Sequence, residues 1–212
     1  MKPSIYRFFF IAVLLFALIS CEEDQRLKKY YPIGVGEVNW DTIYQTVPAF
    51  NMLNQQVEPV SRDKMDGRIR IFHFYCGDCE NSPAAFQQMA DLQNSFQEDT
   101  LIYLISMSLT PSKDDTLILK ALGETYEANT RKWDILSGDS LITRKIAESG
   151  FHVYFEAADS ISRAPEVLVL IDKEGRVRGK YQGAEDGVAK LKEDILVLKE
   201  EYVPKYDWWR IW

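Results

Sequence analysis

Two strand-like segments separated by a helix-like segment constrain the fold of this chain more than any other feature. Residues 68–74 (RIRIFHF) alternate and are rich in Ile and Phe, which indicates a β-strand. Residues 101–107 (LIYLISM) form a nearly continuous apolar run, typical of a strand buried on both faces. Residues 82–96 lie between them and carry apolar side chains at helical spacing: Phe86, Met89, Leu92 and Phe96. Strand, helix and strand in this order predict a parallel βαβ unit.

The patterns elsewhere extend this unit. Ser82 can cap the first helix, and Pro83 suits its first turn. Residues 22–66 predict a tether followed by short strands or irregular chain. The next segments predict a helix over 114–128, a short strand and turn over 133–140, and a helix over 140–150 that stops at Gly150. A hairpin of two strands, over 166–172 and 176–183, and a last helix over 186–202 follow. The last helix has one apolar face: Val188, Leu191, Ile195 and Leu198. The order predicts an α/β fold of the thioredoxin-like type, with a central mixed sheet flanked by helices.

The N-terminal segment predicts export from the cytosol. Lys2 and Arg7 precede a short apolar run that ends at Cys21, as in a secretory signal peptide. The residues before Cys21 resemble a bacterial lipobox, which implies cleavage before Cys21 and lipid attachment to its sulfur; the alternative is an ordinary signal peptide. We therefore expect a bacterial lipoprotein with its domain outside the cytoplasm, facing the periplasm or on the outer membrane.

The predicted domain organisation follows from these segments. Residues 1–20 are the lipoprotein signal peptide, residues 21–39 a tether, residues 40–203 the thioredoxin-like domain and residues 204–212 an aromatic tail. The tail either packs back onto the domain or contacts a partner or a bilayer interface. A net charge of −7 with no basic stripe excludes nucleic acid as an expected partner.

Cys76 and Cys79 are the cysteines left once Cys21 is lipidated. A Cys-x-x-Cys pair beside a βαβ pattern is typical of a thioredoxin-like redox site. N–H groups at a helix start would favour the thiolate of Cys76 as nucleophile, and Cys79 would resolve the mixed disulfide. The negative charges of Asp78 and Glu80 oppose this activation. A metal site or a structural pair remains the alternative reading.

Several segments resemble the Sco/SenC family in the family's order. They are TVPAFNMLNQ (46–55), SLTPSKDDTLILKALGETY (108–126), RKWDILSGDSLITRKIAESGF (131–151) and VLVLIDKEGRVRGKYQG (167–183). The resemblance covers roughly residues 40–185. It implies a membrane-anchored, thioredoxin-like protein associated with copper delivery to cytochrome oxidase, and with thiol–disulfide exchange in some members.

Two departures from the family pattern weaken the copper alternative. The family usually separates its cysteines by three residues, whereas here only Gly77 and Asp78 intervene. The family's ligand histidine would fall in the segment SISRAPEVLVLID (160–172), which contains none. A Cu(I) site of two thiolates and one imidazole would therefore lack its third ligand. In its place stands Ala164-Pro165, which resembles the cis-proline that shapes the partner groove of thioredoxin-like reductases.

Three neighbouring residues complete the expected site. Tyr75 stands where thioredoxins often carry Trp, so it either covers the disulfide in the partner groove or packs inside. His73 is expected to be an interior or edge residue, and it joins Cys76 and Cys79 only in the alternative copper site. His152 is likewise expected to be structural.

The sequence thus predicts a membrane-anchored thiol–disulfide oxidoreductase that acts on protein thiols and disulfides and needs no resident cofactor. The family resemblance implies a role in the maturation of respiratory enzymes. Two alternatives remain: a copper chaperone for cytochrome oxidase assembly, and a non-catalytic interaction module that kept the fold.

Overall fold

The computed structural model describes residues 27–35, 42–155 and 162–203 of the 212-residue chain. The signal peptide, Cys21 and the aromatic tail lie outside the described residues. The strands are β1 (Pro32–Val35), β2 (Thr42–Tyr44), β3 (Asn51–Leu53), β4 (Pro59–Ser61), β5 (Ile69–Tyr75), β6 (Ile102–Ser108), β7 (Trp133–Leu136), β8 (Val167–Ile171) and β9 (Val177–Gln182). The helices are α1 (Ser82–Ser95), α2 (Thr116–Thr125), α3 (Ser140–Arg144) and α4 (Glu185–Glu200). A 3₁₀ turn covers Arg62–Met65, and a π-helical segment, Lys145–Gly150, continues α3.

Five of these strands form the central sheet, in the order β7-β6-β5-β8-β9. β5, β6 and β7 are parallel, and they are joined by the crossover helices α1 and α2. β8 runs antiparallel to β5, and β9 returns as a hairpin beside β8. The predicted α/β fold with a mixed sheet and a closing hairpin is therefore confirmed.

The two faces of the sheet pack two separate cores. Side chains alternate along β5, so Ile71 and Tyr75 face one core while Phe72 and Phe74 face the other. The first core includes residues of α1, α2 and α4, which cover that face. The second core includes Cys76, Cys79, the segment after α3 and the lead-in strands. This alternation decides which residues near the cysteines can reach the disulfide.

Helix ends differ from the predicted ends by a few residues, and one cap was assigned wrongly. The N-cap of α1 is Asn81, whose side chain does not cap the helix. Ser82 is the first helical residue, and its hydroxyl donates to the backbone oxygen of Cys76 at 2.6 Å. Pro83 lies in the first turn as predicted, because that turn needs no intrahelical partner for its nitrogen.

The chain contacts the domain before residue 40, where the sequence places the domain boundary. The N–H of Leu27 donates to Glu201 Oε1 at 2.8 Å, and Arg178 Nη2 donates to the backbone oxygen of Leu27 at 2.6 Å. β1 then pairs antiparallel with β2 within the lead-in. Across the three described stretches, no helix combines the length and the apolar character needed to span a bilayer.

Candidate functional site

Cys76 and Cys79 form a disulfide directly after the central strand β5. Their Cα atoms lie 5.3 Å apart, in the ordinary range for a disulfide. The N–H of Cys79 donates to the Cys76 oxygen at 3.2 Å, and the N–H of Ser82 donates to the Cys79 oxygen at 3.1 Å. These bonds define a tight turn over residues 76–82, called here the cysteine turn. The turn holds the two sulfur atoms at bonding distance.

The helix begins where the sequence predicts it, at Ser82, which is six residues after Cys76. α1 begins at Ser82, so a turn of residues 77–81 separates the first cysteine from the helix. The helix dipole acts mainly within the first turn of a helix, and its effect on Cys76 is correspondingly small. The activation of Cys76 by the helix N-terminus stays a prediction, and this separation makes the expected effect small.

A buried carboxylate, Asp114, holds the cysteine turn instead. The N–H of Gly77 donates to its two oxygens at 3.1 and 3.2 Å. The hydroxyls of Ser108 and Thr110 donate to Oδ2 at 2.6 and 2.9 Å. Burial raises the pKa of the Asp114 carboxyl, and these hydrogen bonds oppose the rise. Asp114 lies in the segment that resembles the family, but its contact with Gly77 spans 37 residues and carries no local signal.

A second carboxylate lies against the sulfur itself. Asp78 Oδ1 is 3.4 Å from Cys76 Sγ. Lys113 Nζ pairs with the other oxygen of Asp78 at 3.1 Å, in an exposed position. The site therefore brings negative charge toward Cys76, as the sequence led us to expect, and one lysine partly offsets it. The negative charge of Asp78 beside the sulfur disfavours a thiolate at Cys76.

The disulfide is buried in its oxidised form. Cys76 has no exposed surface, and Cys79 is 4% exposed. Val153 and Ala164 belong to the same apolar cluster as the two cysteines. A partner thiol must approach a sulfur atom along the S–S axis to exchange with it. Exchange therefore requires that a partner displace some of this cover.

Asn81 links the cysteine turn to the segment before β8. Its Nδ2 donates to the backbone oxygen of Ala164 at 3.0 Å, and its Oδ1 accepts from the Ala164 N–H at 3.0 Å. Nδ2 also lies 3.2 Å from Glu166 Oε1. This paired contact spans 83 residues, so nothing in the local sequence pattern announced it. Both backbone groups of Ala164 are occupied within the protein itself.

Pro165 does not have the predicted conformation. The described residues contain no cis peptide bond, so the Ala164-Pro165 bond is trans and the expectation of a cis-proline is wrong. The trans form is the lower-energy isomer of an X–Pro bond. Pro165 is partly exposed beside the cysteine turn, but it lacks the geometry on which its predicted groove role rested.

Tyr75 and His73 lie on the face of β5 opposite the disulfide. Tyr75 is fully buried, with its ring 5.0 Å from that of Phe86, so it packs inside and does not line an accessible groove. His73 is 2% exposed, and its Nδ1 lies 3.1 Å from the hydroxyl of Ser106. Burial lowers the pKa of His73 to about 4, so the ring is neutral at pH 7. The predicted interior role of His73 agrees with this environment.

The donor set does not fit a copper site with two thiolates and an imidazole. The chain has two histidines. His73 is on the wrong face of the sheet, and His152 is exposed with its ring 4.1 Å from that of Tyr31. Over the described ranges, no three His, Cys, Asp or Glu residues are grouped so that they could hold a metal ion. The alternative set of Cys76, Cys79 and His73 is therefore not brought together.

Fold and site together define a thioredoxin-like protein with a Cys-x-x-Cys disulfide at the end of its central strand. The sequence profile of the SCO1/SenC family matches residues 41–198, and the chain belongs to this family. The search of curated proteins found no match to the chain.

Solved structures of Sco proteins share this fold. A SCO1/SenC family lipoprotein from Bacillus anthracis is 22% identical, with a TM-score of 0.65 over 73% of this chain and 95% of that one. BsSco, described with a disulfide switch and as a cytochrome c oxidase assembly protein, is 21% identical, with a TM-score of 0.65 over 82% and 97%. Copper-bound ScoI of Bradyrhizobium japonicum is 18% identical, with a TM-score of 0.56 over 70% and 98%. At these identities the likeness establishes the fold.

Proposed function

We propose that this protein is a membrane-anchored, extracytoplasmic thiol–disulfide oxidoreductase that acts on a partner protein. The observation that carries the proposal is the Cys76–Cys79 disulfide, held in a hydrogen-bonded turn after β5. Neither histidine of the chain joins it to complete a copper site. Two sulfur atoms without a third ligand are better suited to exchanging electrons than to retaining Cu(I).

The exchange proceeds in two steps. In the reduced protein, the Cys76 thiolate attacks a disulfide of the partner, forms a mixed disulfide and releases one partner thiolate, which takes up a proton. The Cys79 thiolate then attacks Cys76 Sγ, breaks the mixed disulfide and releases the second partner thiol. Two electrons pass to the partner, and the Cys76–Cys79 disulfide is formed. With an oxidised protein and a reduced partner, the same steps run in reverse.

The contacts of Leu27, six residues after Cys21, support an anchored arrangement. The β8–β9 turn lies at the start of β5, because Arg70 pairs with Ile171 and donates to the backbone oxygens of Asp172 and Lys173. Arg178 joins this end of the sheet to Leu27. The disulfide lies at the other end of β5, about 20 Å away for a seven-residue strand. A lipid on Cys21 would therefore attach the domain by the end opposite the disulfide, which leaves the disulfide facing away from the bilayer.

A copper chaperone is the second candidate function, with copper as cargo. It is favoured by the likeness to ScoI, whose structure is described with copper bound, and to BsSco, described as a cytochrome c oxidase assembly protein. Maturation of a respiratory enzyme is accordingly the setting that we propose for either chemistry. The donor set of this chain favours the thiol chemistry.

Measurements of electron transfer and of copper binding separate the two candidates. We expect a two-electron midpoint potential for Cys76 and Cys79, insulin-reducing activity, and loss of both in Cys76→Ser. Cys79→Ser should instead leave Cys76 covalently linked to the natural partner, with Cys76→Ser/Cys79→Ser as the control that traps nothing. Stoichiometric Cu(I) binding without exchange activity would replace the proposal by the chaperone function. The absence of both properties would indicate a non-catalytic interaction module.

A further inference from the structure

Three lysines at one end of the domain have tyrosine rings as neighbours instead of acidic side chains. The pairs are Lys28 with Tyr30, Lys29 with Tyr44 and Lys173 with Tyr202, with Nζ 5.3, 5.6 and 4.3 Å from the ring centroid. These distances are in the range of a cation–π contact. Among the residues that the structure describes, none of the three lysines makes an ion pair. We call these six exposed or partly exposed residues the lysine–tyrosine surface.

Hydrogen bonds bring two of the pairs together at the end of the sheet opposite the disulfide. Arg178 Nε donates to the backbone oxygen of Lys28 at 3.3 Å. Arg178 Nη1 donates at 3.3 Å to Asp172, which begins the β8–β9 turn and precedes Lys173. The N–H of Lys173 donates to the Tyr202 hydroxyl oxygen at 3.3 Å. The buried guanidinium thus joins the Lys28 segment to the turn that carries Lys173.

The pair of Lys29 and Tyr44 lies beside the same turn. Tyr44 is the last residue of β2, and two positions later Thr46 forms an antiparallel bridge with Arg176, at the other side of the β8–β9 turn. Lys29 follows Lys28 directly in the chain. All three pairs therefore surround the β8–β9 turn.

The predicted lipid site is close to this surface along the chain. Cys21 precedes Leu27 by six positions, and six extended residues span at most about 21 Å. Leu27 directly precedes Lys28, and its backbone is fixed by hydrogen bonds to Glu201 and Arg178. A lipid on Cys21 would therefore keep this end of the domain close to the bilayer in which the lipid is inserted.

Lysine and tyrosine are suited to the region of lipid headgroups. Tyrosine is enriched at membrane interfaces because its ring is amphipathic, and lysine extends its ammonium group to the interface while its stem lies along apolar atoms. A lysine near an anionic bilayer surface contributes about 1 kcal/mol of attraction. Three lysines without acidic partners therefore favour contact of this end with the headgroups.

The acidic residues of the folded domain favour the same orientation. The net charge of the chain is −7, so an anionic bilayer repels the molecule as a whole. Asp78 and Glu80 are exposed at the disulfide end, which an anionic surface would keep away from the bilayer. Residues 22–24 (EED) of the tether oppose contact with the bilayer, so the attraction has to come from the lysine–tyrosine surface.

We infer that the lysine–tyrosine surface contacts the phosphate-bearing headgroups of the bilayer that holds the lipid of Cys21. The lysine ammonium groups donate to phosphate oxygens, and the tyrosine rings lie at headgroup level. The inference rests on the proposed anchoring, and it adds that the domain is seated on the bilayer instead of moving freely on its tether. The disulfide is then presented to the partner protein at a fixed height, about 20 Å farther from the bilayer along β5.

The first test measures amine labelling of the full chain with lipid on Cys21. The protein is compared in nanodiscs of phosphatidylcholine and phosphatidylglycerol and in dodecyl maltoside, whose headgroup has no phosphate. Acetylation of Lys28, Lys29 and Lys173, followed by mass spectrometry, should be about fivefold slower in the nanodiscs. Lys120 and Lys145 are the control positions, since they lie soon after helix starts at the disulfide end of the sheet, and they should react equally in both.

The second test removes two of the cations. Lys28→Gln/Lys29→Gln should bring the acetylation of Lys173 in nanodiscs close to its rate in detergent, because one cation then holds the surface instead of three. Lys120→Gln/Lys145→Gln makes the same change in net charge at the other end, and it should leave Lys173 slow to react in nanodiscs.

The outcomes separate this inference from the proposed function. Slow acetylation confined to the three lysines and to the nanodiscs supports the inference. Equal rates in nanodiscs and in detergent, with lipid present on Cys21, would overturn the inference and retain the anchoring. Slow acetylation in both would indicate that a second copy of the chain covers the surface, and would also overturn it. A Cys21 without lipid would overturn the anchoring and this inference together, while disulfide exchange would stand.

Discussion

Replacement of Asp78 by Asn should make the Cys76 thiol easier to ionise. The Asp78 carboxylate lies 3.4 Å from Cys76 Sγ, within contact distance of the sulfur. In the reduced protein this carboxylate repels a thiolate and accepts a hydrogen bond from a thiol. Both effects favour the protonated form of Cys76, and Asn removes the negative charge while keeping the size and shape of the side chain.

The magnitude follows from Coulomb's law with the observed distance. At 3.4 Å, two unit charges interact with about 1 kcal/mol in water and with about 5 kcal/mol at an effective dielectric constant near 20. The Asp78 side chain is 58% exposed and pairs with Lys113, so the interaction is strongly screened and the lower figure applies. Loss of about 1 kcal/mol of repulsion raises the ratio of thiolate to thiol about fivefold at a fixed pH.

The assay follows the ultraviolet absorbance of the thiolate against pH in a Cys79→Ser background, which leaves Cys76 as the reporting thiol. Glu80→Gln is the matched control, because it removes the same charge from the same turn at an exposed position. Lys113→Met should act in the opposite direction, since it removes the cation paired with Asp78.

Two results would refute this reasoning. If Glu80→Gln shifted the thiolate population as much as Asp78→Asn, net charge rather than the contact at the sulfur would control ionisation. If Asp78→Asn lowered the thiolate population, the carboxylate would be stabilising the ionised form, contrary to the geometry.

Three further substitutions test other parts of the structure. Burial raises the pKa of Asp114 above its usual 3.8, so the native protein loses stability as the pH rises from 3.8 through the raised pKa. In urea unfolding, Asp114→Asn should lack this pH-dependent loss. A pH profile identical to that of the wild-type protein would contradict the assignment. The pKa shift of His73 has the opposite sign, since burial lowers it from 6.5 to about 4. The free energy of unfolding should therefore fall by up to about 3 kcal/mol as the pH drops from 6.5 toward 4. His73→Leu should show no such fall. Arg178→Met removes the buried cation that pairs with Asp172 and Glu201 and should lower the free energy of unfolding by about 3 kcal/mol. It should also speed tryptic cleavage after Lys28, because Arg178 holds the backbone of that segment. Arg131→Met, at an exposed position, is the control and should change neither measurement.

The amino-acid sequence was sufficient to predict the sheet and the position of the cysteine pair. Alternation in β5, the apolar run of β6 and the helical spacing in α1 are local signals with periods of two and 3.6 residues. A Cys-x-x-Cys pair placed between a strand and a helix restricts the chemistry of the two sulfur atoms before any contact is known. The family likeness also rested on short segments in a fixed order.

The environment of the disulfide could not be predicted in the same way. Asp114 reaches Gly77 across 37 residues, and Asn81 reaches Ala164 across 83. Such contacts depend on how β6 and β8 are placed beside β5, which no local pattern specifies. The cis conformation expected at Pro165 was wrong for a related reason, since residue type permits a cis bond and the surroundings select the isomer.

The face of the sheet on which each side chain lies decides which residues can form a site with the cysteines. In sequence, His73, Tyr75 and Cys76 are close enough to suggest one site. In the folded protein, the pleat sends His73 and Tyr75 to one core and the cysteines to the other, because successive side chains of a strand point to opposite faces. The sequence alone determined that two sulfur atoms follow the central strand. Only the tertiary structure decided which groups surround them, because those groups come from distant strands brought together by burial of the two cores.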